Sequence, residues 1–200
     1  MSTERIGVFL DRDGTINVEV DFVRTPDQLQ LIAGAAQAIR RLNDLGVVVC
    51  VISNQSGIAR GYLTEDDLGR IHERLSRNLK QEDAHVDRIY YCPHHPTEGI
   101  APYVLECECR KPKAGMLRWA ERDLGVDLSK SFLVGDRLGD IQAGKAVGAT
   151  TILVRTGYGE MALRDNRIHT IPPDFIAADI SEAVEYILNT LKGRHNLEGQ

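Results

Sequence analysis

A chain of 200 residues with 42% hydrophobic content can bury one substantial core but hardly two, so one folded unit is expected across 1–193. Its formal net charge of -5 argues against an extended nucleic-acid surface while leaving room for a local basic pocket that takes an anionic small molecule. No stretch approaches the ~18 uninterrupted apolar residues of a membrane span and no apolar signal region opens the chain, which predicts a cytoplasmic protein with no membrane partner.

Residues 6–10 form an apolar run that reads as a buried strand, with Asp11 and Asp13 where it emerges. Residues 35–45 have helical spacing closed by Gly46, and 47–52 read as the second strand. Thr64 with Asp67 is an N-cap signature for a helix through Leu68, Ile71, Leu75 and Leu79, followed by a strand over 86–91. Residues 114–124 predict a helix closed by Gly125, 132–134 a short strand, 141–147 a helix and 151–154 a strand. Between 155 and 175 only loop signals occur, at Gly157, Gly159, Pro172 and Pro173. A last helix is expected over 180–191 and a frayed tail over 194–200. Strand and helix alternate as in an α/β, Rossmann-like, doubly wound parallel sheet.

In such a sheet all carboxyl ends share one edge, where ligands bind. Two aspartates at i and i+2 past a strand end can converge on one small volume while Arg12 points elsewhere, so that one attacks and the other moves protons. A calcium loop opening at Asp11 would need Glu at its twelfth position, which is Phe22. After the second strand come Ser53, Asn54, Gln55, Ser56 and Gly57, small polar groups suited to phosphate oxygens. After the fourth, GDRLGD places Asp136 and Asp140; a carboxylate there could complete a Mg²⁺ site, and Asp140 could instead cap the next helix. Arg110 and Lys111, just before the helix over 114–124, are cationic donors able to neutralise a phosphoryl group.

Four cysteines without a secretion signal do not suggest a disulfide framework, and three cluster between Cys92 and Cys109. Cys92, His94, Cys107 and Cys109 form CxH and CxC half-sites matching a closed tetrahedral Zn²⁺ centre, with His95 as the alternative imidazole. A zinc-binding loop over 92–109 would order a stretch lacking secondary structure and place Lys111. Cys50, within an apolar strand, is expected to pack. His72, His85, His169 and His195 have no motif around them.

With DRDGT at 11–15, Ser53, Lys111 and GDRLGD in this order, the chain resembles the haloacid dehalogenase superfamily of aspartate-nucleophile phosphohydrolases over roughly residues 5–155. The resemblance implies that Asp11 is the nucleophile and Asp13 the general acid and base, assisted by Ser53 and Lys111. It implies Mg²⁺ held by the Asp11 side chain, the Asp13 backbone carbonyl and Asp136. SNQSGIARG, CPHHP, CEC and RKP look like the heptose-bisphosphate phosphatases of lipopolysaccharide and S-layer sugar biosynthesis. That likeness implies a small sugar bisphosphate as substrate, contacted by Asn54, Gln55, Ser56, Arg110 and Arg137, and a substrate-facing loop over 19–22; a monomer is expected, though residue types do not fix the oligomeric state. The loops after Asp13 and Tyr91 are too short for a large cap domain, so an open site is expected. Histidinol-phosphate phosphatase is the nearest enzymatic rival, though it usually lacks SGIARG. A non-catalytic, zinc-stabilised binding domain is the rival of another class, and it has no need of carboxylates crowded at one strand edge.

Overall fold

The structure, a computed structural model, describes the backbone of residues 5–198 and the side chains of 5–194. Six parallel strands form one sheet in the order β3-β2-β1-β4-β5-β6. They are β1 (Gly7–Leu10), β2 (Val48–Asn54), β3 (Arg88–Cys92), β4 (Phe132–Gly135), β5 (Thr150–Val154) and β6 (Phe175–Ala177). Helices α1 (Ala35–Asp44), α2 (Glu65–Lys80), α3 (Gly115–Leu124), α4 (Leu138–Lys145), α5 (Gly159–Arg164) and α6 (Ile180–Glu198) cover it.

Strand β1 is central because it is apolar on both faces, as a parallel strand between two helical layers must be. On one face Val8 and Leu10 pack with Val49, Val51 and Val134 under α1, α2 and α6. On the other, Phe9 packs with Cys50, Ile52 and Leu133 under Met116, Leu117 and Ala120 of α3. Leu10 lies in register with Val51 of β2 and Val134 of β4, so the loops after these three strands emerge together. The chain runs from β1 toward β2 on one side and later returns to β4 on the other, which makes this edge a topological switch point.

Local signals explain most boundaries. Helix α2 begins where the Thr64 side chain accepts the Asp67 N–H and Asp67 answers the Thr64 N–H. Gly125 ends α3 at φ 65°. Three expectations need correction. Strand β2 continues through Ser53 and Asn54, which pair with Tyr91 and Cys92. Helix α4 starts three residues before 141, because Asp140 accepts the Arg137 N–H at 2.9 Å and caps an earlier first turn. The segment 155–175 is more than loop: it holds α5 and leads into β6, elements of six and three residues that are too short for periodicity to register.

The last helix runs to Glu198, through most of the stretch expected to fray, and residues 199–200 lie outside the described residues. Between β1 and α1 there is only a short 3-10 turn at Pro26–Gln28 and isolated bridges, so no cap domain covers the strand edge. No helix among the described residues is long and apolar enough to cross a membrane.

Candidate active site

At the carboxyl end of β1, Asp11 keeps its backbone in the sheet, its N–H donating to the Val134 carbonyl at 2.9 Å. Its side chain is therefore fixed between the ends of β2 and β4. Lys111 reaches it from the segment before α3: Nζ lies 3.0 Å from Asp11 Oδ1 and 2.6 Å from Asp140 Oδ1, and donates to the Ile52 carbonyl at 2.8 Å. All three ammonium donors are thus used inside the protein. Lys111 is itself held by Asn54, whose amide donates to its carbonyl at 2.9 Å and accepts its N–H at 3.0 Å. Asn54, expected to contact substrate, lines the cleft and gives one amide hydrogen and its oxygen to this clamp.

Asp136, past β4, is fully buried. Its Oδ2 accepts the Tyr158 N–H at 2.7 Å, while Oδ1 has no hydrogen-bond partner. Gly14 and Gly157, at φ 79° and 58°, wrap this carboxylate so closely that a Cβ on either would collide with it. Carboxylate oxygens of Asp11, Asp136 and Asp140 lie within 4.8 Å of one another. Asp11 is pushed up to about 7, by burial first, with Lys111 opposing and Asp140 adding. Asp136 is pushed up to about 8, again by burial first and then by Asp11 and Asp140. An unpartnered buried oxygen among oxygen donors that resist ionisation fits a divalent cation such as Mg²⁺.

Asp13 is outside this group of three but lines the same cleft. Its carboxylate accepts Arg12 NH2 at 2.8 Å, Asn17 Nδ2 at 2.9 Å and Gln55 Nε2 at 2.9 Å. Burial works to raise its pKa, but the Arg12 charge and these hydrogen bonds outweigh it and hold the carboxyl below its ordinary value. Arg12 was expected to point elsewhere; it does leave Asp11, but it curls under the chain, wholly buried, to clamp Asp13. Behind it, His72 Nε2 lies 3.4 Å from Arg12 NH1, and burial with that charge pushes the imidazole down to about 3, so it stays neutral. Ser53 is buried and accepts Gln55 Nε2 at 2.7 Å.

Above these groups opens a cleft of about 450 Å³, whose wall carries Arg60, Arg110 and Arg137 as well as Ser56 and the loop residues Glu19 and Phe22. Its floor is anionic and its rim cationic, which suits a phosphate ester bound with a metal ion.

Beside it, Cys92, His94, Cys107 and Cys109 draw together. Cys107 Sγ lies 3.5 Å from Cys92 Sγ and 3.3 Å from Cys109 Sγ, and His94 Nδ1 lies 3.4 Å from Cys109 Sγ. These separations are far too long for a disulfide and near the ~3.8 Å edge of a tetrahedron with Zn–S bonds of about 2.3 Å. The geometry selects His94 over His95, whose Nδ1 instead accepts the Glu98 N–H at 3.0 Å. Cys50 is buried in the core and outside the cluster.

Sheet topology, the carboxylate and lysine cluster and the open cleft define a hydrolase of the haloacid dehalogenase type. A family model described as HAD-hydrolase-like matches residues 108–183. Over 194 residues the chain is 44% identical to D-glycero-D-manno-heptose-1,7-bisphosphate 7-phosphatase of Thermosynechococcus vestitus, covering 95% of this chain and 99% of that one. The D-glycero-beta-D-manno-heptose-1,7-bisphosphate 7-phosphatase of Haemophilus ducreyi is 45% identical over 182 residues, 90% of this chain and 97% of its own. Among solved structures, D,D-heptose 1,7-bisphosphate phosphatase from B. bronchiseptica, complexed with magnesium and phosphate, superposes with a TM-score of 0.82 at 37% identity, covering 92% of this chain and 99% of that one. The chain belongs to the D-glycero-D-manno-heptose-1,7-bisphosphate 7-phosphatase family.

Proposed function

We propose that the protein removes the 7-phosphate of D-glycero-D-manno-heptose 1,7-bisphosphate through an aspartyl-phosphate on Asp11, in the making of nucleotide-activated heptose for lipopolysaccharide or S-layer glycans. The observation that carries this reading is the buried Asp11, Lys111 and Asp136 constellation under a cation-rimmed cleft, in a chain whose relatives bear that enzyme's name over nearly their whole length.

A carboxylate oxygen of Asp11 attacks phosphorus in line, and the P–O bond to C7 breaks. Asp13, ionised in the free protein, takes up a proton from solvent, gives it to the leaving alkoxide and then takes one from the water that splits the acyl phosphate. Lys111 and Ser53 offset the charge on the phosphoryl oxygens. Asp11 and Asp136, with the Asp13 carbonyl, would hold Mg²⁺, which supplies the remaining charge neutralisation. Gln55, Ser56, Arg110 and Arg137 would contact substrate, with Asn54 acting through Lys111. On this reading the enzyme works as a monomer in the cytoplasm, on a small soluble substrate and no nucleic acid.

The test is phosphate release, with Mg²⁺, from both anomers of the heptose bisphosphate and from histidinol phosphate, with the Asp11→Asn protein as blank. A clear preference for a heptose anomer is expected. Faster release from histidinol phosphate would overturn the substrate, and silence on all three the enzymatic reading.

Cys92, His94, Cys107 and Cys109 would hold a structural Zn²⁺ that does no chemistry. The segment around it is bonded to both walls of the cleft. Gln55 N–H donates to the Cys92 carbonyl at 2.7 Å and Ala59 N–H to the Pro93 carbonyl at 3.2 Å, while Arg110 NH1 donates to the His94 carbonyl at 3.1 Å. Stripping this metal, verified by elemental analysis and followed by Mg²⁺ restoration, is expected to lower kcat/KM by on the order of tenfold and to lower Tm. Full activity in zinc-free protein would break the link.

A further inference from the structure

The loop after β5 carries no motif, yet it touches the site at three points. Thr156 Oγ1 donates to the Gly14 carbonyl at 2.6 Å, the Tyr158 N–H to Asp136 Oδ2 at 2.7 Å, and the Tyr158 hydroxyl to Asp21 Oδ1 at 2.5 Å. Asp21 stands at φ 63°, a conformation that side-chain-bearing residues adopt rarely, so the 18–22 loop is bent where its carboxylate meets the tyrosine.

Arg137 lies between these two loops. Its guanidinium carbon sits 3.8 Å from the centre of the Tyr158 ring, and NH2 lies 3.4 Å from Glu19 Oε2. The unpartnered Oδ1 of Asp136 is 4.0 Å from Nε. Whenever Asp136 is ionised, Coulomb attraction draws a free arginine toward it. The aromatic face offers a competing seat for the flat of the guanidinium and leaves its edge donors to hydrogen-bond in the cleft. The Glu19 contact is long, at 3.4 Å, so an incoming phosphate can compete for the guanidinium.

We infer that Tyr158 is a positioning residue that sets the preference for a substrate with a second phosphate: its ring seats Arg137 at the cleft, and its hydroxyl, latched to Asp21, keeps the ring in place. This rests on the heptose bisphosphate reading above, in which Arg137 contacts substrate, and adds that the group it meets is the phosphate that is not cleaved.

The experiment measures kcat and KM for heptose 1,7-bisphosphate and for heptose 7-phosphate, which has the same scissile ester and no second phosphate. The proteins compared are the native one, Tyr158→Leu, Tyr158→Phe, Arg137→Met and the Tyr158→Leu/Arg137→Met double variant. In Tyr158→Leu the preference for the bisphosphate, as a ratio of kcat/KM values, is expected to fall about two- to fivefold, the worth of a cation–π contact on a half-exposed guanidinium, and to do so through the bisphosphate KM. Tyr158→Phe keeps the ring and should recover most of it. The double variant should be no worse than Arg137→Met, because the tyrosine acts only through the arginine.

Equal losses on both substrates, a fall in kcat alone, or additive effects in the double variant would overturn the inference. An Arg137→Met protein with an unchanged ratio would do the same. Native protein that hydrolyses neither compound would refute the functional reading and the inference with it. A native preference for the bisphosphate that survives Tyr158→Leu refutes the inference alone.

Discussion

Asp11→Asn is expected to abolish phosphate release, by on the order of 10⁴-fold or more as for other lost nucleophiles, and yet to give a protein more stable than its parent at pH 8 without Mg²⁺. The first effect follows because an amide has no anionic oxygen with which to attack phosphorus. The second follows from crowding. Burial first raises Asp11 to about 7, with Lys111 opposing and Asp140 adding, and raises Asp136 to about 8, with Asp11 and Asp140 adding, against ~3.9 for an aspartate in the unfolded chain. From about pH 4 to pH 8 the folded state therefore holds protons that the unfolded state has released, so cation-free stability falls as pH rises through that window. Asparagine has no charge to develop there, and Lys111 keeps Asp140 at 2.6 Å and the Ile52 carbonyl at 2.8 Å. Mg²⁺ should raise the parent's Tm more at pH 8 than at pH 5, and the variant's much less. Thermal unfolding at both pH values, with and without Mg²⁺, checks this. A cation-free parent that grows more stable from pH 5 to pH 8 would contradict it.

The parts of this molecule legible in its sequence are those set by short-range rules. Strands buried on both faces read as continuous apolar runs, and parallel topology then puts Asp11, Ser53 and Asp136 at one edge without any knowledge of side-chain positions. CxH and CxC spacing likewise brings four ligands together. What could not be read is which polar group holds which. Asn54 and Lys111 are 57 residues apart, and no periodicity reports that an amide closes on the lysine backbone. Arg12 is hidden for a related reason, since an arginine between two aspartates resembles solvated surface until the fold buries it wholly. His72 lies on α2, where helical spacing marks only the apolar stripe Leu68, Ile71, Leu75 and Leu79. The β5 loop was within reach. The rule that every parallel strand delivers its following loop to the ligand edge applies to β5 as to β1, and would have placed residues 155–158 beside Asp136.

Lys111→Met is expected to be the most destabilising single change at the site, about 3–5 kcal/mol at pH 8, and to lower kcat by roughly 10²–10³. Its side chain is 4% exposed, and its ammonium is shared between Asp11, Asp140 and a carbonyl. Methionine matches the aliphatic stem, so what is lost is the charge. Three buried carboxylates would then face one another with no cation among them, and the penalty is that repulsion rather than a cavity. The cost must therefore be pH-dependent: near pH 5 protonation relieves it, and toward pH 8 it is felt in full. Lys111→Arg should not rescue, because a planar fork cannot send one donor to each of three acceptors around a point. Lys113, two residues on, is the control. Its pair with Glu108 is solvent-exposed on both sides, and Lys113→Met should leave stability close to that of the parent. Denaturant unfolding of both variants at pH 5 and pH 8 separates these ideas. A Lys111→Met penalty below ~1 kcal/mol at pH 8, or one that does not shrink at pH 5, would mean that the lysine is not what lets these carboxylates share the strand edge.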